Sequence, residues 1–179
     1  MKKTLTKALT IALLGGFAAL TTSNVSAQQK SMRDILPLPP TIYDASGNEV
    51  ATESLRGKTV ALYFSAHWCV PCRHFTPKLV DFYNQNKSGN FEVVFMSLDR
   101  SDRMKKEYMH DSGMKWLTAP GQGSKEINHI MDFYKLQGVP SLIVFGPNGE
   151  LITKNGRADV TNSPNAALRK WQSKVAGNF

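Results

Sequence analysis

TVALYFSAHWCVPCRHFTP, residues 59 to 77, is the stretch on which the fold turns. Thr59 to Ser65 is a near-continuous apolar run of β-type residues, as expected for a central strand covered on both faces. After Cys69 the period changes: Phe75, Leu79, Phe82 and Tyr83 fall at helical spacing, which predicts a helix from Val70 to about Asn86. Pro77 lies inside it and is expected to kink it, because an interior proline removes one backbone bond. A CxxC that opens a helix just after a buried strand has a specific chemical meaning. The first sulfur sits at the helix amino terminus, where unpaired N–H groups and the helix dipole favour a thiolate; the second lies one turn on, close enough to attack a mixed disulfide. Cys69 is therefore the expected nucleophile and Cys72 the resolver. Pro71 stiffens the turn and Trp68 offers an apolar flank for a substrate chain. The Cys69 thiol is expected to titrate below its free value of about 8.5.

Working toward the amino terminus, Ser46-Gly47-Asn48 separates Thr41 to Asp44 from Glu49 to Ala51, which predicts a hairpin. Gln28 to Pro40 is polar, then proline-rich, and reads as a lead-in arm without a core of its own. On the other side, Phe91 to Leu98 is a second buried strand, Ser101-Asp102 caps a helix through His110, and Gly113 to Gly123 reads as loop. Glu126 to Leu136 is helical. Gly138-Val139-Pro140 precedes a further strand, Ser141 to Phe145, and Pro147-Asn148-Gly149 turns the chain into Glu150 to Thr153. Asn165 to Val175 makes a terminal helix, with Ala167, Leu168, Trp171 and Val175 on its inner face. A strand, helix, strand order demands a parallel crossover and the Asn148-Gly149 turn an antiparallel pair, so the sheet must be mixed, with helices on both faces.

Residues 1 to 27 read as an export signal: Lys2, Lys3 and Lys7 precede a short apolar run, Ala8 to Leu20, and Val25-Ser26-Ala27 supplies the small-residue cleavage pattern. Cleavage near Ala27 leaves about 150 residues, room for one domain, Thr41 to Phe179, in the periplasm or outside the cell. The formal charge of +8 falls by three with those lysines. The remaining basic residues are scattered among acids, which argues against a nucleic-acid surface. Only two cysteines are present. A bridge between them closes a tiny loop and constrains the unfolded chain little, so the pair is poorly placed as a staple and well placed as a redox switch. Zinc normally takes four ligands, and His67, His74, His110 and His129 supply no second paired spacing. Copper held by the two sulfurs with His67 or His74 stays an alternative.

Ser65 to Pro77 resembles the active-site segment of the thioredoxin superfamily, and Arg73 to Pro77 followed by Leu79 to Tyr83 is most similar to its tryparedoxin and nucleoredoxin branch. Gly138-Val139-Pro140-Ser141 is similar to the family's cis-proline loop. The resemblance extends from about Thr41 to the carboxyl end. It implies an α/β thioredoxin fold with a mixed central sheet and an amino-terminal β-hairpin, a cis Pro140 facing Cys69, and a Val139 backbone that receives a bound peptide as an added strand. It implies dithiol–disulfide exchange through a mixed disulfide at Cys69, with no cofactor beyond the Cys69–Cys72 pair; with the export signal, the expected clients are exported proteins. The Val-Pro between the cysteines resembles that of reducing members, which implies a reductase re-supplied by a membrane electron carrier; oxidase and isomerase directions stay open. One departure bears on mechanism. Thioredoxins carry a buried acid six residues before the first cysteine, where this chain has Tyr63, and cytochrome-maturation reductases place a Glu three residues after the second, where it has Phe75. Proton transfer at Cys72 then falls to water or to a nearby side chain such as His74.

Overall fold

Strand β3 (Thr59–Ser65) is buried at every residue, as a doubly covered strand should be. Its side chains alternate between two cores. Ala61 and Tyr63 join one apolar cluster, whereas Val60, Leu62 and Phe64 join another on the opposite face. The computed structural model describes residues 32–87 and 90–176; the expected export signal and the first part of the arm lie outside the described residues. Around β3 the chain forms a seven-stranded mixed sheet in the order β2-β1-β5-β4-β3-β6-β7. These strands are β1 (Thr41–Tyr43), β2 (Glu49–Ala51), β4 (Phe91–Ser97), β5 (Leu117–Thr118), β6 (Ser141–Phe145) and β7 (Leu151–Thr153). Strands β3 and β4 run parallel, β3 and β6 antiparallel, and β6 and β7 antiparallel. The expected amino-terminal hairpin is the β1–β2 pair, with Ile42 opposite Val50.

The helices are α1 (Met32–Ile35), α2 (Val70–Asn86), α3 (Asp102–Asp111), α4 (Lys125–Phe133), α5 (Gly156–Asn162) and α6 (Pro164–Ala176). The first core gathers Phe75, Leu79 and Phe82 of α2, Tyr108 of α3, Val160 of α5 and Trp171 of α6. Phe82, Phe91 and Trp171 meet ring to ring at 5.5 to 6.0 Å. Such pairs add about 0.5–1.5 kcal/mol each beyond their buried area. The second core lies under α4, through Ile127 and Met131, and under the arm.

Several elements differ from the sequence expectation. The arm carries one helical turn, and its Met32, Leu36 and Leu38 are buried in the second core, so apolar spacing too short to register as periodic still docks on the sheet. The loop after α3 contains the two-residue β5, which bridges β4 and β1. Helix α5 occupies a stretch in which Val160 is the lone buried side chain, so no apolar stripe announces it. Gly156 at its start explains the tight approach: a Cβ there would stand 2.8 Å from the Leu142 carbonyl oxygen of β6. Among the described residues no helix is long and apolar enough to cross a membrane.

Candidate active site

The buried strand β3 ends at Ser65, and the next four residues deliver Cys69 to the amino terminus of α2, where it is the N-cap. Its Sγ accepts the Cys72 N–H at 3.2 Å. A side chain in that position occupies the place where a helix leaves its first donors unpaired. Pro71 fits the first turn because its missing N–H would have had no helical partner there. Cys69 and Cys72 are joined as a disulfide. Their exposures differ: 5% of Cys69 is exposed and none of Cys72. Any thiol arriving from solvent therefore meets the earlier sulfur.

The surface around that sulfur is apolar and open. Trp68 is 48% exposed and Val70 51% exposed, and Pro71 is also exposed. The Trp68 indole is held from beneath, Nε1 donating to the Leu98 carbonyl at 3.1 Å. Opposite stands the loop before β6, with a cis Val139–Pro140 bond. The Val139 carbonyl oxygen lies 3.7 Å from the Cys69 Sγ, a contact rather than a hydrogen bond because a bridged sulfur carries no hydrogen. Chain positions 70 apart thus meet at one sulfur. Of the expected site residues, Trp68, Cys69 and Pro71 lie around the start of α2 and Val139 and Pro140 in the loop whose Val139 carbonyl meets the Cys69 sulfur. His74 stands apart. It is exposed, and two residues beyond Cys72 is about 200° round the helix, whereas Cys72 faces inward.

A buried polar frame that the sequence reading missed holds this loop. Asp99, 1% exposed just after β4, accepts the His67 N–H at 2.7 Å and the Ser97 hydroxyl at 2.8 Å. The Arg73 guanidinium donates to the His67 carbonyl at 2.6 Å, and the His67 ring stacks on Tyr108 at 5.4 Å. Beneath α2, the Thr76 hydroxyl donates to the Cys72 carbonyl at 2.9 Å and lies 2.7 Å from the Tyr63 hydroxyl and 2.5 Å from that of Tyr108. Ser65 Oγ is 3.1 Å from the same Tyr108 oxygen. A hydroxyl has one proton, so Thr76, having donated to the carbonyl, accepts from both tyrosines, and Tyr108 in turn accepts from Ser65. Burial pushes the Tyr63 phenol far above its ordinary range, so it stays a donor at any physiological pH. The available signals were Thr76 standing four residues after Cys72, hence on the same helical face, and Tyr63 on an inward position of β3. Among the described residues no three or more His, Cys, Asp or Glu side chains are grouped to hold a metal ion.

The family model described as Thioredoxin-like matches residues 57–151. The chain belongs to the thioredoxin-like family. Human nucleoredoxin is 37% identical over 147 residues, 81% of this chain and 33% of that protein. The probable nucleoredoxin 1 of Arabidopsis thaliana is 43% identical over 113 residues, 62% of this chain and 19% of that one. This thioredoxin-like chain thus spans about a third or less of the curated relatives it matches here. Among solved structures, tryparedoxin II from C. fasciculata superposes with a TM-score of 0.70 at 34% identity, covering 80% of this chain and 96% of that one. Tryparedoxin from Trypanosoma brucei gives 0.69 at 35% identity, covering 79% and 97%. The fold is the thioredoxin fold, and the domain is a thioredoxin-like redox domain of the tryparedoxin and nucleoredoxin branch.

Proposed function

We propose that this chain is an exported protein-disulfide reductase that exchanges its Cys69–Cys72 pair with client disulfides. The observation that carries the reading is the asymmetry at the bridge. One sulfur touches solvent and accepts a helix-terminal N–H, while the other is sealed beneath it. In the reduced protein, the Cys69 thiolate attacks a client disulfide; a Cys69–client bond forms, and the other client sulfur leaves as a thiolate and takes a proton from solvent. Cys72 then attacks Cys69 Sγ. The Cys69–Cys72 bond forms, the remaining client sulfur departs with the electron pair, and the proton lost by Cys72 ends on it or in solvent. The client chain is held as an extra strand on the Val139 backbone and against Trp68 and Pro71. An electron donor of the membrane returns the pair to the dithiol, and the amino-terminal signal supplies the export.

The purified chain lacking residues 1–27, assayed in metal-free buffer with dithiothreitol, is expected to reduce insulin disulfides, and Cys69→Ser to abolish the reaction. Equilibration against glutathione buffers decides direction. A potential near the thioredoxin value of about −270 mV supports the reductase, and one near the about −120 mV of strong periplasmic oxidants overturns it. Cell fractionation that finds the intact chain, signal attached, in the cytoplasm overturns the export.

A further inference from the structure

Resolution demands that Cys72 become a thiolate inside the protein. The side chain is wholly buried, and burial in apolar surroundings disfavours a charged sulfur. The apolar side chains clustered around it are Ala66, Leu98 and Val139. His74 points outward, and the Arg73 guanidinium is engaged with the His67 carbonyl. Thr76 is the polar side chain one helical turn away on the same buried face, where i and i+4 neighbours have Cβ atoms about 5–6 Å apart. Its hydroxyl now donates to the Cys72 carbonyl, which also has the main-chain partner an α-helix supplies. The proton on Thr76 is therefore free to turn without orphaning that carbonyl. Tyr63 and Tyr108 both donate to the Thr76 oxygen, which polarises its O–H and strengthens it as a donor.

Resting on the exchange chemistry proposed above, we infer that Thr76 turns its hydroxyl from the Cys72 carbonyl to the Cys72 sulfur as resolution begins, with Tyr63 and Tyr108 as positioning residues behind it. The stabilised species is the Cys72 thiolate, and no proton is passed along the hydroxyls: Cys72 gives its proton up as the client sulfur takes one. Hydroxyls thus serve where other family members place a carboxylate. Only the second half-reaction is affected, because the Cys69 sulfur is served by the Cys72 N–H and not by Thr76.

The two steps separate when the reduced protein meets 5,5′-dithiobis(2-nitrobenzoate) in a stopped-flow instrument. Attack by Cys69 releases one thionitrobenzoate in a phase that depends on reagent concentration; resolution by Cys72 releases a second in a phase that does not. Thr76→Val is expected to slow the second phase roughly 10- to 100-fold, the effect of one hydrogen bond to a charged group, with the first phase within about two-fold of wild type. Thr76→Ser restores the second phase to within about three-fold, and Tyr63→Phe, which keeps the ring, slows it several-fold. A second phase unchanged in Thr76→Val, both phases slowed alike, or no rescue by Thr76→Ser overturns the inference. Absence of the first phase in the wild-type protein overturns instead the exchange reading on which it rests.

Discussion

Removing the Asp99 carboxylate tests whether the loop that presents Cys69 is held from below. Two donors end on this residue, the His67 N–H at 2.7 Å and the Ser97 hydroxyl at 2.8 Å, and the carboxylate is 1% exposed. Asp99→Ala leaves both donors facing a vacated space. Each buried donor left unsatisfied costs about 1–3 kcal/mol, and water entering the space brings the total toward the lower half of the range, about 3 kcal/mol. For a chain of this size that lowers the melting midpoint by roughly 6–12 °C. Asp99→Asn separates charge from shape. Its carbonyl oxygen still accepts from His67, but its amide meets the Ser97 hydroxyl, which already accepts the residue-99 N–H at 3.0 Å, so about 1–2 kcal/mol is lost. Ser97→Ala loses about 1 kcal/mol, and the Ser97→Ala, Asp99→Ala double variant less than the sum, because the two share one bond. Urea titrations of the oxidised proteins give the energies. Alkylation of Cys69 in the reduced proteins reports the loop, which in Asp99→Ala loses its hold on the His67 N–H and keeps only the Arg73 bond to the His67 carbonyl. A loss below about 1 kcal/mol in Asp99→Ala, or strict additivity with Ser97→Ala, refutes the reasoning.

Two further changes probe the frame away from the cysteines. Burial raises the Glu92 carboxyl above its ordinary range, and the Val93 N–H, the Tyr83 hydroxyl and Lys58 pull it only part of the way back. A carboxyl raised in the fold contributes fully below its unfolded value of about 4.3, and that contribution is lost as pH rises through the folded value. Glu92→Gln keeps the two bonds to Oε1, at 3.0 Å from both Tyr83 Oη and Val93 N. Its stability relative to wild type is expected to rise between pH 4 and 7; urea midpoints with a pH-independent difference count against this. Gly149 turns the β6–β7 hairpin at φ +82°, and a Cβ there would overlap the Ile35 side chain and lie 2.8 Å from the Ile35 carbonyl oxygen. Gly149→Ala is expected to cost about 2–4 kcal/mol, from backbone strain and the displaced arm, as read by thermal unfolding. A midpoint within a degree of wild type would show that the arm is not held against this turn.

The parts of the molecule that were legible in the sequence are those whose physics is local. Thr59 to Ser65 announces a doubly buried strand by its unbroken apolar run, and the change of period after Cys69 announces α2, which begins and ends where expected. The helix-terminal placement of Cys69 follows from those two readings alone. Helix α5 and strand β5 were not legible, since one has a single buried side chain and the other is two residues long, and both are fixed by what they pack against. The end of α4 at Phe133, short of the expected Leu136, has a backbone cause: Lys135 takes φ +54°, a conformation that closes a helix.

The same division runs through the site and separates its two sulfurs. What favours the Cys69 thiolate is encoded within four residues, because a helix amino terminus needs only its own first turn. The group of hydroxyls beneath α2 is assembled from three elements: Thr76, one turn after Cys72, lies 13 residues from Tyr63 and 32 from Tyr108, and Ser65 is 43 from Tyr108. The i, i+4 spacing of Cys72 and Thr76 is legible, but no spacing rule links Thr76 to the two tyrosines, so a reading of the motif leaves the hydroxyls behind Thr76 unassigned. On the exchange proposed above, the chemistry of the attacking sulfur is carried by a short segment, while the rate at which the mixed disulfide is resolved depends on the packing of α2 on β3 and α3. Substitutions in that packing are expected to alter how long a client stays covalently bound, and to leave almost untouched how fast it is first attacked.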